Sequence, residues 1–247
     1  MSGVLLITGS SGIAEATALR ARGWRVFTVG QEKAQCESLA EKIPGSAFYV
    51  ADLREEEAVQ KAFDACLAEF GTIDAVFQVA GSSGRRFGDG PLHECTLEGW
   101  EETFRANARP AFLVSRAAVR YWLNGKRGGA LLNIASVLAF SPEPTHFATH
   151  AYASAKAATI AMSRAMAAQY AANGIRVNVL APGLVRTPMS ARAQEDETIC
   201  SFVQQKQPLS RGFLQASDIA DTALFLLSEK ACHITGQIVT VDGGWTL

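Results

Sequence analysis

Three residues of this chain have types and a spacing that suit proton transfer: Ser136, Tyr152 and Lys156. Residues at i and i+4 share one helix face, so the Lys156 ammonium group can lie near the Tyr152 phenol. A phenol titrates near pH ~10 in water, too high for a proton donor and acceptor at neutral pH. Because a neighbouring cation stabilises phenolate, we expect Lys156 to lower the pKa of Tyr152 and Ser136 to hydrogen-bond a substrate oxygen. A surface tyrosine beside a solvated lysine is the competing interpretation.

A glycine-rich segment near the N-terminus could bind a phosphate. It reads TGSSGIA at positions 8–14 and opens an alanine-rich helix. Glycines let backbone N–H groups approach a phosphate, and a helix N-terminus adds a partial positive charge. A turn with a glycine cap would show the same short pattern. Asp52, after the third predicted strand, could accept a hydrogen bond from an adenine amino group or cap the next helix.

The elements that would position these residues alternate along the whole chain. Apolar runs predict strands at 4–8, 25–29, 47–50, 75–79, 130–135, 176–181 and 237–241. Helical patterns cover 12–22, 33–42, 55–70, 97–123, 151–173, 191–205 and 216–227. Continuously apolar strands separated by helices indicate a parallel sheet with helices on both faces. We therefore expect one doubly wound, Rossmann-like α/β domain over residues 1–247, with ligands beyond the carboxyl ends of its strands.

Composition excludes several classes of protein. The 247 residues include 23 Lys and Arg against 24 Asp and Glu, so the chain lacks the basic excess of a nucleic-acid binder. Its 5 cysteines form no CxxC pair, which suits reduced thiols in a cytosol. No apolar run approaches the ~18–20 residues needed to cross a bilayer. We expect a cytoplasmic protein with neither nucleic-acid nor membrane partners.

The segments around the expected substrate pocket carry two further patterns. His146 and His150 form HxxxH, a spacing that would place two imidazoles on one helix turn. A metal site would need a third ligand, so we expect no metal and assign both histidines to a loop near the substrate. Residues 141–150 are expected to form one wall of that pocket. The acidic stretch 189–202 is expected to be either a mobile lid or a solvated turn.

Eight segments in one order carry a resemblance to a known family. They are TGSSGIA, Asp52-Leu53, QVAG at 78–81, Asn107, Ser136, YASAK at 152–156, APGLVRTPM at 181–189 and ITGQIVTVDGG at 234–244. Together they resemble the short-chain dehydrogenase/reductase family in its single-domain form of about 250 residues. This resemblance covers essentially the whole chain.

The resemblance implies an NAD(P)-dependent oxidoreductase that interconverts a secondary alcohol and a ketone. Tyr152 would be the general acid or base, Lys156 would lower its pKa and bind the nicotinamide ribose, and Ser136 would orient the substrate oxygen. Asn107 would hold a water for proton relay, unless it only marks a helix kink beside Pro110. A homo-oligomer, tetramer or dimer, is also implied. The implied cofactor-binding residues are Gly9, Ser11, Gly12, Ile13, Gly30, Gln31, Asp52, Leu53, Ala80, Gly81, Tyr152, Lys156, Pro182, Gly183, Val185 and Thr187.

The chain departs from the family pattern at positions that bear on the cofactor. The glycine-rich loop is one residue shorter than usual, and Gln78 stands where the family commonly has an asparagine. Gly30 occupies the position of the usual aspartate, which would bind the ribose 2′-OH of NAD, so the choice between NAD and NADP stays open. No arginine follows Gly30 and Ser11 replaces a common basic residue, which favours NAD, whereas Lys33 could bind the phosphate of NADP. Two alternatives stay open: a nucleotide-sensing or scaffold protein without turnover, and an epimerase or dehydratase using the same site.

Overall fold

A parallel β-sheet forms the centre of the molecule. The computed structural model describes residues 3–247; residues 1 and 2, part of the predicted domain, lie outside the described residues. The strand order is β3-β2-β1-β4-β5-β6-β9, and every pair is parallel. The strands of this sheet are β1 Val4–Thr8, β2 Arg25–Gly30, β3 Ala47–Val50, β4 Ala75–Gln78, β5 Gly129–Ile134, β6 Ile175–Pro182 and β9 Ile238–Val241. A separate short pair joins β7 Val185–Arg186 to β8 Leu214–Gln215.

Helices cover both faces of the sheet, as the apolar strands require. They are α1 Ile13–Arg20, α2 Lys33–Glu41, α3 Glu56–Phe70, α4 Leu97–Asn124, α5 His150–Tyr170, α6 Ala191–Glu195, α7 Glu197–Lys206 and α8 Ala216–Leu227. Alternate side chains of one strand point to opposite faces. Leu6 accordingly packs with α3, α4 and α5, whereas Leu5 and Ile7 pack with α1, α2 and α8. The structure confirms the predicted doubly wound α/β fold.

The largest difference from the prediction lies after β6. The stretch 191–205, predicted as one helix, is two helices that meet at Asp196. The Asp196 carboxylate accepts hydrogen bonds from the backbone N–H groups of Thr198 and Ile199, at 2.9 and 3.1 Å, and so starts α7. An acidic residue that caps a helix explains part of the charge run. The β7–β8 pair was also not predicted, because two-residue strands carry no periodicity.

No helix within residues 3–247 is long and apolar enough to cross a membrane. The cysteines of this part of the chain are all free thiols, with Cys36 and Cys66 buried.

Candidate active site

The carboxyl edge of the sheet brings the predicted catalytic side chains together from three elements. Ser136 follows β5, Tyr152 and Lys156 lie in the first turns of α5, and Asn107 lies in the middle of α4. Ser136 is within hydrogen-bond reach of Tyr152. Gly81, which follows β4, lies against both Asn107 and Lys156. The four side chains therefore share one region beyond the strand ends.

Lys156 is a buried cation with spare hydrogen-bond donors. Its side chain is 3% exposed, and its ammonium group donates a hydrogen bond of 3.3 Å to the Ile134 carbonyl oxygen. Burial lowers the pKa of Lys156 to about 8. Because an ammonium group carries three N–H donors, Lys156 retains donors for the hydroxyl groups of a bound molecule.

Tyr152 is half-buried, and burial sets its titration. Its ring centroid lies 5.6 Å from the Lys156 ammonium nitrogen. Burial raises the pKa of Tyr152 to about 12, and the hydrogen bond with Ser136 lowers it by a smaller amount. Removal from water disfavours the charged phenolate. Lys156 is not among the causes of this shift, so a lowering of the Tyr152 pKa by Lys156 stays a prediction.

Asn107 joins α4 to the segment that follows β4. Its amide nitrogen donates to the carbonyl oxygens of Ser82 and Thr103, both at 2.9 Å, and its amide oxygen accepts from the Ser82 N–H at 3.2 Å. The helix continues past Pro110 to Asn124. Through these hydrogen bonds Asn107 fixes the backbone beside Lys156. Its relay of protons through a water stays a prediction.

Gly81 allows Asn107 and Lys156 to approach the same backbone. A Cβ atom at this position would lie 2.7 Å from the Asn107 amide oxygen and 3.3 Å from the Lys156 ammonium nitrogen. The first of these distances is too short for a carbon–oxygen contact. A side chain at position 81 must therefore displace one of the two polar groups.

We expect Gly81→Ala to lower kcat by about tenfold or more, because a displacement of the order of an ångström weakens catalytic geometry strongly. Steady-state kinetics with a secondary alcohol and the preferred nucleotide measure the effect. Gly90→Ala is the matched control, since a Cβ atom at Gly90 meets nothing within 4 Å. Equal kcat values for the two variants would contradict the assigned role of this close approach.

Asp89 positions the helix that carries Tyr152, a role that sequence analysis missed. Its carboxylate is 6% exposed and accepts hydrogen bonds of 2.9 Å from the N–H groups of Ala151 and Tyr152. The neighbouring Gly90 carbonyl oxygen lies 2.9 Å from the His150 Nδ1 atom. A carboxylate at a helix N-terminus satisfies free N–H groups and complements the helix dipole. No sequence signal links Asp89 to this helix, because the partners are 62 and 63 positions away.

The turn after β4 is held without the asparagine that the family commonly uses. The Thr8 hydroxyl accepts hydrogen bonds from the Val79 and Ala80 N–H groups, at 2.9 and 3.0 Å. The buried Gln78 amide donates to the Ala80 carbonyl oxygen at 2.9 Å. Together they fix the path of the backbone between β4 and Gly81. The Ser82 hydroxyl, next along the chain, is buried without a hydrogen-bond partner.

The glycine-rich loop leads from β1 into α1. Gly9 has φ of +109° and Gly12 has φ of +57°, the left-handed region that favours glycine. Gly12 is the N-cap residue of α1, and a Cβ atom there would lie 3.1 Å from a methyl carbon of Thr187. The loop thus contacts the segment that follows β6. Ser11 and Ile13 lie in this loop and at the first position of α1, both partly exposed.

The end of β2 explains why glycine occupies position 30. A Cβ atom at Gly30 would lie 2.7 Å from the Cys36 sulfur and 2.7 Å from the Ser10 hydroxyl oxygen. The Ser10 hydroxyl in turn donates to the Gln35 side chain at 3.2 Å. An aspartate cannot stand at position 30 unless these neighbours move. Gln31, the next residue, is exposed.

Asp52 is paired with Arg54. The Arg54 guanidinium donates to both carboxylate oxygens over distances of 2.6 to 2.9 Å, and the Arg54 N–H also donates at 2.9 Å. These bonds hold the pKa of Asp52 at about 2. Asp52 therefore does not use its side chain to cap α3. The side chain of the adjacent Leu53 is in the hydrophobic core, so only its main chain can face a bound molecule.

The segment from Pro182 to Thr187 runs from the end of β6 past the glycine-rich loop. The buried Gln207 side chain holds it, accepting from the Leu184 N–H and donating to the Leu184 carbonyl oxygen at 3.1 Å. Val185 is buried and pairs with Leu214. Sequence analysis did not identify Gln207, since its partner lies 23 positions earlier.

The loop between Ser136 and Tyr152 is held by one carboxylate. Glu143 accepts hydrogen bonds from the N–H groups of Thr145, His146 and Phe147. His146 lies in this loop as predicted, whereas His150, also predicted in the loop, is the first residue of α5. Among residues 3–247, no group of three metal-ligating side chains is close enough to hold an ion.

The chain is similar to known proteins over nearly its whole length. A family model described as enoyl-(acyl carrier protein) reductase matches residues 7–246. The chain is 32% identical to 3beta-hydroxysteroid dehydrogenase 1 of Eggerthella lenta, over 98% of this chain and 93% of that protein. It is 32% identical to a 3-oxoacyl-(acyl-carrier-protein) reductase of Thermotoga maritima, over 98% of this chain and 96% of that protein.

A solved structure shows the same arrangement of elements. The short-chain type dehydrogenase/reductase from Mycobacterium ulcerans superposes with a TM-score of 0.89 and 30% identity, over 99% of this chain and 91% of that one. Sequence relatives and this structure match nearly the whole chain in one order of elements. The chain therefore belongs to the short-chain dehydrogenase/reductase family of oxidoreductases.

Proposed function

We propose that this protein is an NAD(P)-dependent oxidoreductase that interconverts a secondary alcohol and a ketone, with residues 1–247 as one catalytic domain. The observation that carries the proposal is the approach of Ser136, Tyr152 and a buried Lys156 at the carboxyl edge of the sheet. When bound, the nicotinamide nucleotide supplies the acceptor or donor of the hydride. The residues supply binding, orientation and proton transfer.

Tyr152 gives its phenolic proton to the carbonyl oxygen during reduction and takes it back during oxidation. Ser136, within hydrogen-bond reach of Tyr152, directs that oxygen toward the phenol. The spare ammonium donors of Lys156 bind ribose hydroxyls and bring a positive charge beside the phenol. Asn107 and Gly81 fix the backbone on which Lys156 rests.

The described residues fit a nicotinamide dinucleotide. Lys156 has unused donors, and the buried Ser82 hydroxyl has no partner, so both can accept a polar ligand. The positive-φ glycines of the first loop lead into α1, whose N-terminus has no side-chain cap among the described residues, so the N–H groups of its first turn would be available to a pyrophosphate. The first loop and the segment Pro182–Thr187 are in contact. They would enclose the pyrophosphate and the nicotinamide half of the bound dinucleotide.

We propose NAD rather than NADP as the preferred nucleotide. A ribose 2′-phosphate needs a free cation near the end of β2. Arg54 is paired with Asp52 at 2.6 Å, and Lys33 is paired with Glu37 at 3.5 Å. Arg54 is therefore engaged by a carboxylate, and the exposed Lys33 has a carboxylate beside it. Fluorescence titration with NADH and with NADPH tests the choice, and binding of neither nucleotide would favour a protein without turnover.

Asp52→Asn should shift this preference, because it removes the anionic partner of Arg54 and frees the guanidinium for a phosphate. We expect the affinity for NADPH relative to NADH to rise about tenfold, which corresponds to about 1.4 kcal/mol. Titrations of the wild type and the variant with both nucleotides measure the ratio. The double variant Asp52→Asn/Arg54→Gln is the control and should lose the gain. An unchanged ratio in the single variant would show that Arg54 does not face the ribose.

The substrate is proposed as a small-molecule alcohol or ketone, and the assembly as a homo-oligomer. Apolar side chains on α4 are exposed, with Phe112 at 46% and Leu123 at 36%, which supports contact through this helix. A screen of secondary alcohols with the preferred nucleotide separates oxidoreduction from epimerisation or dehydration. Only oxidoreduction gives a stoichiometric change in free reduced nucleotide.

A further inference from the structure

Two arginines from distant segments meet on one carbonyl oxygen beside the candidate active site. Arg85 follows β4 and Arg192 lies on α6; they donate to the His146 carbonyl oxygen at 2.8 and 3.2 Å. Because the two bonds share an acceptor, the donor nitrogens lie within about 6 Å of each other, where like charges disfavour one another. Burial and the charge of Arg192 both lower the pKa of Arg85. A single carbonyl dipole does not neutralise two positive charges.

These two guanidinium groups have no anionic partner in the described chain. Neither forms an ion pair with a carboxylate of residues 3–247. Asp89 attracts Arg85 electrostatically, but both of its oxygens already accept N–H groups at the start of α5. Glu195, one turn after Arg192 on α6, is exposed and not paired with it. The positive charge of this pair is therefore available to an anion from outside.

The carbonyl that joins the pair is held in a fixed place. The His146 ring packs on Phe202 with centroids 4.9 Å apart. Phe202 and Phe147 each lie 5.8 Å from the Trp245 ring, and Trp245 is 1% exposed. Packing against this aromatic cluster holds His146 in place, while Arg85 and Arg192 are themselves exposed and reachable from solvent.

The arginine pair lies on segments that adjoin those of Ser136 and Tyr152. His146 lies in the loop between Ser136 and Tyr152, and Arg85 lies four positions before Asp89, whose carboxylate binds the Tyr152 N–H. Arg192 follows the segment Pro182–Thr187. Three segments that surround the candidate substrate pocket therefore converge on one positive site.

We propose that Arg85 and Arg192 bind an anionic group of the substrate, a carboxylate or a phosphate, while its alcohol or ketone carbon reacts at Tyr152. The inference rests on the proposed function for the reacting end only. Guanidinium groups form strong, directed hydrogen bonds with both kinds of anion. The substrate class is then hydroxy or keto acids, or phosphate esters that carry a secondary alcohol or ketone.

A binding test needs no turnover. Thermal unfolding of the wild type is measured with succinate and, separately, with inorganic phosphate, and then repeated for the double variant Arg85→Gln/Arg192→Gln. We expect either anion to raise the Tm of the wild type more than that of the double variant. Phosphate can also bind at the glycine-rich loop, which is the same in both proteins, so the difference between the two shifts is the quantity measured. Arg86→Gln is the matched control, because the Arg86 guanidinium lies 4.5 Å over the Phe87 ring and not on His146. Absence of a shift in the wild type, or an equal shift in the double variant, overturns the proposal.

A kinetic test compares matched substrates. Secondary alcohols of graded length are supplied as carboxylates and as their methyl esters, or as phosphate esters and free alcohols. We expect the wild type to prefer the anionic member at least tenfold in kcat/KM, mainly through KM, and the double variant to lose this preference. The two anion series tell which group is bound. Turnover without an anionic preference overturns this inference and leaves the proposed function standing. Anion binding at the two arginines without turnover of any alcohol overturns the proposed function and leaves the anion site standing.

Discussion

Tyr152→Phe is expected to lower kcat by about 100- to 10,000-fold, the range that a positioned proton donor contributes. The substitution removes the phenolic proton and keeps the ring that packs beside Lys156. Burial raises the pKa of the phenol to about 12, so at neutral pH the group is a proton donor in the free protein. Nucleotide affinity should change little, because Lys156 and the glycine-rich loop are untouched. Single-turnover kinetics and fluorescence titration measure the two quantities separately.

The control for this prediction is Tyr170→Phe, the same substitution at the last residue of the same helix. It should retain wild-type kcat. Full activity of Tyr152→Phe would exclude Tyr152 as the general acid or base. Equal losses of nucleotide binding and turnover would instead indicate that the tyrosine has a structural role, in which case the proton donor must be sought elsewhere.

The fold could be predicted because its signals are local. Apolar runs mark the strands of the main sheet, and the predicted helix 216–227 coincides with α8. The Tyr152–Lys156 spacing likewise needs nothing beyond one helix to bring the two side chains to one face. The loop glycines also stand where positive φ is found, at Gly9 and Gly12. For these features, the residues a few positions away along the chain determine the conformation.

The parts that sequence analysis missed depend on contacts between distant segments. Asp89 reaches the start of α5, Gln207 holds Leu184, and Arg85 and Arg192 meet at His146. A carboxylate, an amide or a guanidinium in a loop carries no periodicity that would identify its partner. The effect of burial on the Tyr152 pKa was missed for a related reason, because desolvation depends on the packing of several elements around one group.

Lys156→Met is expected to stabilise the protein and to abolish most of its activity. Burial lowers the pKa of Lys156 from 10.5 to about 8. Below pH 8 the folded state therefore holds an ammonium charge that is better solvated in the unfolded chain. This shift corresponds to a cost of about 3 kcal/mol in the free energy of unfolding. A methionine fills similar space without a charge and loses one long hydrogen bond, worth about 1 kcal/mol. The net gain at pH 7 should be about 2 kcal/mol.

The pH dependence distinguishes this cause from a general packing effect. Below the folded pKa of about 8, Lys156 is protonated in both states and the cost is complete. As pH rises from 8 toward 10.5, the unfolded chain holds a proton that the folded chain has lost, so the wild type gains stability relative to the variant. Urea unfolding of both proteins across this range measures the difference, and Lys230→Met, at an exposed lysine, should show none. A Lys156→Met protein that is less stable at pH 7, or a difference that does not change with pH, would contradict the role of burial. Loss of nucleotide affinity together with that gain in stability would show that the buried ammonium group is retained for function, at a cost to the fold.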